Sequence, residues 1–220
     1  MQNDHARMKS KKTKREIEVK AMVLQELIKR GRLSNRATIA DEYPLMGTGV
    51  RADIAFLQRR RIIGVEIKTE ADSLRRLQKQ MTVYENYFDH TLLVVASRHF
   101  STMSTNDFPE VEIWSLGPNR LTTVSRGKRS KAKEPPPLLE LITEREKRQL
   151  DKTPVGARTK FISSFNKRYG ATSAIFWNEA ANPIQPEDLH LLSRFKSLRI
   201  QQSRQVQDSS NKLQSWINFK

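Results

Sequence analysis

Residues 51–68, RADIAFLQRRRIIGVEIK, carry the pattern that decides the fold. Two runs rich in β-branched and apolar residues, 53–57 and 62–68, flank the polar stretch QRRR. Runs of this kind joined by a short polar connection are typical of an antiparallel β-hairpin. The sequence therefore predicts a hairpin at the centre of the fold.

The pairing within this hairpin brings acidic residues together. Closure about Arg59 and Arg60 places Asp53 directly across from Glu66, whereas a slip of one residue would turn Asp53 to the opposite face. Because alternate residues of a strand share a face, Lys68 lies beside Glu66. We therefore expect two carboxylates and an ammonium on one face of the sheet.

These groups indicate phosphodiester hydrolysis. Two adjacent carboxylates repel each other, and a hard divalent cation such as Mg²⁺ is the usual compensation. A metal ion held by Asp53 and Glu66 can polarise a phosphoryl oxygen, and Lys68 can orient or deprotonate the attacking water. We expect Mg²⁺ as the cofactor, with Mn²⁺ able to replace it.

Helical patterns lie on both sides of the hairpin. Apolar residues at helical spacing predict a first helix that ends at Gly31, with a face formed by Ile17, Ala21, Leu24, Leu27 and Ile28. Asp72 and Ser73 predict the start of a second helix that ends near Asp89. Its apolar residues are Leu74, Leu77, Met81, Tyr84 and Phe88. The segment between the first helix and the hairpin is expected to be a polar connection.

Three further apolar runs predict strands. Residues 91–96 suit a central buried strand, and 111–116 and 121–124 suggest two more around Gly117-Pro118-Asn119. The order of helix, hairpin, helix and strands predicts an α/β fold with a mixed sheet flanked by helices.

The composition divides the chain into four parts. A basic arm at 1–13 precedes a domain at 14–125, and a basic, proline-rich linker at 126–137 precedes a helical region at 138–220. In that last region 138–152, 158–169 and 187–207 have helical character. We expect this C-terminal appendage to pack on the first domain or to bind a protein partner.

Asp53, twelve intervening residues and Glu66-Ile67-Lys68 resemble the signature of the PD-(D/E)XK nuclease superfamily. The resemblance covers about 14–116, and Ala52 replaces the proline of the signature. It implies a restriction-endonuclease-like core and a metal-dependent deoxyribonuclease. Asp53, Glu66 and the Ile67 carbonyl would bind the metal, and Lys68 would assist the attacking water.

Gln80 and Tyr84 match the QxxxY motif of the RecB-like and lambda-exonuclease-like branches of that superfamily. There these residues help to bind DNA and to organise the active site. The segment 51–77 also resembles a little-characterised group of bacterial and phage proteins assigned to it. For the acidic ligand from the first helix, Glu16 is favoured because it borders the apolar face, with Glu18 and Glu42 as alternatives.

The charge of the chain indicates an anionic partner. Its 220 residues include 40 Lys and Arg against 24 Asp and Glu, a net charge of +16. Nucleic acid is the commonest partner of such a protein, although an anionic membrane surface or simple solubility also fits. The candidate phosphate contacts are Arg59, Arg60, Arg61, Arg75 and Arg76. The sequence does not distinguish DNA from RNA, and a non-catalytic nucleic-acid-binding module is the alternative function.

Several classes are excluded or disfavoured. The absence of cysteine excludes disulfides, thiol chemistry and zinc sites with thiolate ligands. No apolar run approaches the roughly 18 residues needed to span a bilayer. The basic N-terminus lacks the apolar block of a secretory signal, so we expect a cytoplasmic protein.

Overall fold

A computed structural model describes residues 15–127, 137–150 and 156–193. The predicted arm at 1–13, most of the predicted linker and the predicted helical residues beyond 193 lie outside this part of the chain. Its helices are α1 (Glu16–Lys29), α2 (Leu77–Tyr87), α3 (Pro137–Glu140), α4 (Glu144–Leu150) and α5 (Ala157–Glu179). Its strands are β1 (Thr38–Leu45), β2 (Val50–Gln58), β3 (Arg61–Lys68), β4 (His90–Ala96), β5 (Glu112–Leu116) and β6 (Leu121–Ser125). None of these described helices combines the length and the apolar character needed to cross a membrane.

The strands form a mixed sheet in the order β1-β2-β3-β4-β5-β6. β3, β4 and β5 run parallel, and the other neighbours pair antiparallel. The α/β class and the mixed sheet flanked by helices are therefore confirmed. The strands expected at 91–96, 111–116 and 121–124 are β4, β5 and β6.

The central hairpin has the predicted register. Ile54 lies opposite Val65 and Ala55 opposite Gly64. Extended by one residue beyond these pairs, the same register would bring Asp53 across from Glu66. Arg59 has a φ of 49° and Arg60 a φ of 65°, so both central residues of the turn are left-handed. Such a turn matches the right-handed twist of the flanking strands.

Strand β1 corrects the expectation of a polar connection before the hairpin. It pairs antiparallel with β2, placing Asp41 opposite Ile54 and Tyr43 opposite Ala52. The charged residues in its middle break the alternating pattern by which strands are recognised. Glu42, which lies between these two pairs, has a φ of 53°, a conformation uncommon for a residue with a side chain.

Both predicted helices form, but the buried face of α1 and the first residue of α2 differ from the prediction. On α1, Ile17 is 39% exposed whereas Lys20 is 4% exposed, so the buried face is turned from the one expected. α2 begins at Leu77, not at Asp72. The Asp72 carboxylate instead accepts hydrogen bonds of 2.8 Å from Thr69 N and 2.6 Å from Thr69 Oγ1, which close a turn after β3.

Buried side chains fill both faces of the sheet. The 3₁₀ helix Pro186–Leu192 replaces the start of an expected helix and packs with α1 on one face. α2, α3 and the first half of α5 pack on the other. The described part of the segment expected to be helical at 138–152 forms two short helices, α3 and α4, and α5 extends well beyond 169.

Helix α5 covers the edge of the sheet at β1. Ser173 Oγ accepts a hydrogen bond of 2.8 Å from Ile39 N, and Trp177 Nε1 donates one of 2.8 Å to Ala37 O. An edge strand otherwise exposes unpaired backbone groups to other chains. The described C-terminal helices therefore pack on the sheet. This was one of the two alternatives expected for the C-terminal region, the other being binding to a protein partner.

Candidate active site

Asp53 and Glu66 lie in one cleft at the end of the hairpin away from its turn. The cleft has a volume of about 530 Å³ and contains Asp53, Glu66, Ile67, Lys68 and Gln80 among its lining residues. Ile67 N donates a hydrogen bond of 2.6 Å to Asp53 Oδ2, which ties the carboxylate of β2 to the backbone of β3. The two acids that the sequence predicted to lie close together therefore line the same cleft.

The environment of Asp53 disfavours its negative charge. Burial raises the pKa of Asp53 well above its ordinary value, and the nearby Glu66 carboxylate raises it further. The hydrogen bond from Ile67 N acts in the other direction. A bound cation would remove this penalty, because it favours the ionised carboxylate.

Glu66 is held by three side-chain donors. Its side chain is 2% exposed. Lys68 Nζ lies 2.6 Å from Glu66 Oε1, and Gln80 Nε2 donates to the same oxygen at 2.7 Å. The Tyr84 hydroxyl donates to Oε2. Four of the predicted site residues are thus one hydrogen-bonded group centred on Glu66.

Helix α2 reaches Glu66 because β3 contains a glycine. A Cβ atom at Gly64 would lie 2.2 Å from Phe88 Cδ2 at the end of the helix, so only glycine permits this approach. Gln80 and Tyr84 are four residues apart and share the face turned to the sheet. Burial and the neighbouring Glu66 carboxylate raise the pKa of Tyr84 well above its ordinary value, which keeps its hydroxyl protonated and able to donate.

A second group of carboxylates adjoins Asp53. One oxygen from each of Glu16, Glu42 and Asp53 lies within 4.8 Å of the others. Two of the three candidates for the additional acidic ligand, Glu16 and Glu42, therefore lie together beside Asp53. Glu18 does not belong to this group, because its carboxylate accepts a hydrogen bond of 2.8 Å from Arg15 N at the start of α1.

Two cations that the sequence did not single out, Lys20 and Arg51, offset part of the negative charge of these carboxylates. Lys20 Nζ lies among the carboxylates of Glu16, Asp41 and Glu42. Arg51 Nε lies 2.5 Å from Glu42 Oε2. Burial would lower the pKa of Lys20, but the three carboxylates raise it above its ordinary value. A lysine within the otherwise apolar face of α1 is the signal that predicts a buried ion pair.

The predicted arginines divide between the two ends of the hairpin. Arg76 lines the cleft together with Lys79, which the sequence did not single out, and Arg75 is exposed beside it. Arg61 precedes Glu66 by five residues, about 16 Å along a strand. Arg60 donates a hydrogen bond of 2.9 Å to Thr159 Oγ1 on α5. The structure therefore does not bring Arg59, Arg60 and Arg61 to the cleft.

Comparison with known proteins assigns the family. Protein cII of Enterobacteria phage P4 is 36% identical over 90 residues, which are 41% of this chain and 33% of that protein. The match thus spans about one third of this relative's length. A solved structure, the SPO1766 protein of unknown function from Silicibacter pomeroyi, superposes with a TM-score of 0.43 and 14% identity over 68% of this chain and 82% of that one. Residues 9–154 match the family model of bacteriophage P4 protein cII, so the chain belongs to that family.

Proposed function

We propose that this protein is a metal-dependent nuclease that hydrolyses DNA phosphodiester bonds. The observation that carries the proposal is the single cleft in which Asp53, Glu66 and Lys68 lie together. Gln80 and Tyr84 support it, because both donate hydrogen bonds to Glu66. The order α1, β1, β2, β3, α2, β4 also fits the restriction-endonuclease-like core that the resemblance implies. A phage family fits the expected phage or bacterial setting.

The donor set suits Mg²⁺. Asp53, Glu66 and the Ile67 carbonyl would hold it, since hard cations take oxygen ligands. Burial and Glu66 raise the pKa of Asp53, and a bound cation relieves this penalty. When bound, the ion polarises a phosphoryl oxygen and neutralises developing charge.

The residues of the chain have distinct tasks in hydrolysis. The oxygen of water forms a bond to phosphorus and releases one proton to the solvent, the bond to the leaving oxygen breaks, and that oxygen takes up one proton from the solvent. Lys68 donates to Glu66 in the cleft, where its ammonium can orient the water and stabilise charge on the phosphate. Arg76 and Lys79 provide charge for the DNA backbone without reading sequence.

Cleavage of several substrates tests this proposal. Supercoiled circles, linear duplex, single-stranded DNA and RNA are incubated with Mg²⁺, Mn²⁺ or EDTA. The variants are Asp53→Asn and Lys68→Met, with Lys29→Met as a control on the exposed part of α1. We expect metal-dependent cutting that only the first two variants abolish. Salt-sensitive binding without cutting would instead favour a non-catalytic nucleic-acid-binding module, and unchanged cutting by Asp53→Asn would refute the assignment.

A further inference from the structure

Lys20 is a buried cation within the group of carboxylates that adjoins the cleft at Asp53. Its ammonium lies 2.8 Å from Asp41 Oδ1 and 3.0 Å from Glu16 Oε1, and it also contacts Glu42. The residue is 4% exposed. Three carboxylate partners at contact distance are an oxygen-rich environment of the kind that cations occupy in proteins.

The same carboxylates would otherwise be available to a metal ion. Glu16 and Glu42 each offer an oxygen close to one of Asp53. Both also contact the Lys20 ammonium. A buried ammonium with three anionic partners is costly to displace, because its removal leaves these three carboxylates without their shared cation. Lys20 therefore competes with any ion that would use Glu16 and Glu42.

The charges that the described residues place around the cleft leave room for one divalent ion. Five carboxylates are linked by contact or by electrostatic coupling: Glu16, Asp41, Glu42, Asp53 and Glu66. Three cations contact them: Lys20, Arg51 and Lys68. Two negative charges remain in this group, and Asp72, Arg76 and Lys79, which also line the cleft, reduce the excess to one. The first divalent cation therefore more than neutralises this charge, and a second would leave a large excess of positive charge.

We propose that the ammonium of Lys20 takes the place of a second metal ion, so that the cleft binds a single divalent cation at Asp53 and Glu66. This inference rests on the proposed nuclease function. It makes Lys20 a positioning residue that holds Glu16 and Glu42 beside Asp53 without touching substrate. In two-metal sites the second ion stabilises the leaving oxygen. Here that oxygen has no second metal ion beside it.

The number of bound ions tests this proposal without reference to cleavage. Mn²⁺ binding is measured by isothermal titration calorimetry, and electron paramagnetic resonance reports coupling between neighbouring Mn²⁺ ions. The proteins are the wild type, Lys20→Met, Lys20→Arg and Lys29→Met. The last variant removes the same charge from an exposed position on the same helix. Circular dichroism establishes that each variant is folded.

We expect one Mn²⁺ in the wild type, in Lys20→Arg and in Lys29→Met. Lys20→Met should bind two, with the spectrum of a coupled pair. Two ions in the wild type, or one ion in folded Lys20→Met, would overturn the inference. If Lys20→Met does not fold, the wild type and Lys20→Arg test the inference. One bound ion in each protein would support the inference, and two would overturn it.

The proposed function fails by a different result. A wild type that binds no Mn²⁺, or an Asp53→Asn variant that binds it unchanged, would remove the metal site itself. Two ions in the wild type would leave the nuclease proposal intact and reject only the role of Lys20. The two failures are therefore distinguishable in one set of titrations.

Discussion

The hydroxyl of Tyr84 on α2 donates a hydrogen bond to Oε2 of Glu66 on β3, joining residues 18 positions apart in the chain. Gln80, one turn earlier on the same helix, donates to Oε1 of the same carboxylate. The helix thus orients a carboxylate that the neighbouring strand supplies. Outer partners of this kind fix the direction of a metal ligand.

Removing these donors should weaken metal binding. We expect Tyr84→Phe and Gln80→Ala each to lower Mn²⁺ affinity or cleavage by about 10–100-fold, the usual effect of losing an outer partner of a ligand. Tyr84→Phe keeps the aromatic ring, so its fold should be retained. Gln78→Ala, at an exposed position of α2, is the control. Calorimetric titration with Mn²⁺ measures the affinity, and unchanged binding in both variants would show that these donors do not serve the site.

The contact between Gly64 and Phe88 should control stability. A Cβ at Gly64 would meet the Phe88 ring at 2.2 Å, and overpacking of this kind costs about 1–3 kcal/mol or more. Gly64→Ala should therefore lower the free energy of unfolding and displace α2. A Cβ at Gly170 on α5 would instead point into open space, with no described residue beyond its own helix within 4 Å. Gly170→Ala should raise the free energy of unfolding by about 0.5–1 kcal/mol. Urea denaturation measures the free energy of unfolding of both variants. The same change in both would contradict this explanation.

Glu112 should make stability depend on acidic pH. Burial alone would raise the pKa of Glu112, but hydrogen bonds with His90, Arg32 and Trp114 outweigh it and lower the pKa to about 2. Because the pKa is lower in the folded than in the unfolded chain, the contribution is present above about pH 4.5 and is lost as pH falls through about 2. It is on the order of 3 kcal/mol.

Glu112→Gln should consequently reduce the free energy of unfolding at neutral pH, and the difference from the wild type should shrink between pH 4.5 and 2. Urea denaturation across this range measures it. Glu70→Gln, at an exposed position, should change the free energy by no more than about 0.5 kcal/mol. A difference between wild type and Glu112→Gln that is independent of pH would contradict the assigned ionisation.

The basic residues at the cleft should contribute more to DNA binding than those at the hairpin turn. Arg76→Ala and Lys79→Ala should each weaken binding to all sequences alike and reduce the slope of log affinity against log salt by about 1. Arg59→Ala, at the far end of the hairpin, should change this slope less. Fluorescence anisotropy at several salt concentrations measures the slopes. A larger effect of Arg59→Ala would place the DNA along the other end of the sheet.

The hairpin and its register were predictable because both depend on local information. Alternation fixes which face Glu66 and Lys68 share, and the turn fixes what lies opposite Asp53. The helical spacing of Gln80 and Tyr84 likewise predicted that they share one face. The class of fold followed from the order of these elements.

The group of carboxylates around Lys20, beside the cleft, could not be predicted in the same way. β1 was missed because Asp41 and Glu42 interrupt its apolar pattern. Charged residues stand at these positions because both form ion pairs with Lys20. The start of α2 was misplaced because Asp72 closes a turn with Thr69 instead of capping a helix. In both cases a tertiary or loop contact outweighed a local preference.

The most direct test is the rate of DNA cleavage as a function of Mg²⁺ concentration in the wild type, Glu66→Gln and Glu70→Gln. We predict that the wild type and Glu70→Gln cut DNA at rates that saturate with Mg²⁺, and that Glu66→Gln, although folded, does not cut. Cleavage by Glu66→Gln at the wild-type rate, or no cleavage by the wild type at any Mg²⁺ concentration, would contradict the proposed nuclease function.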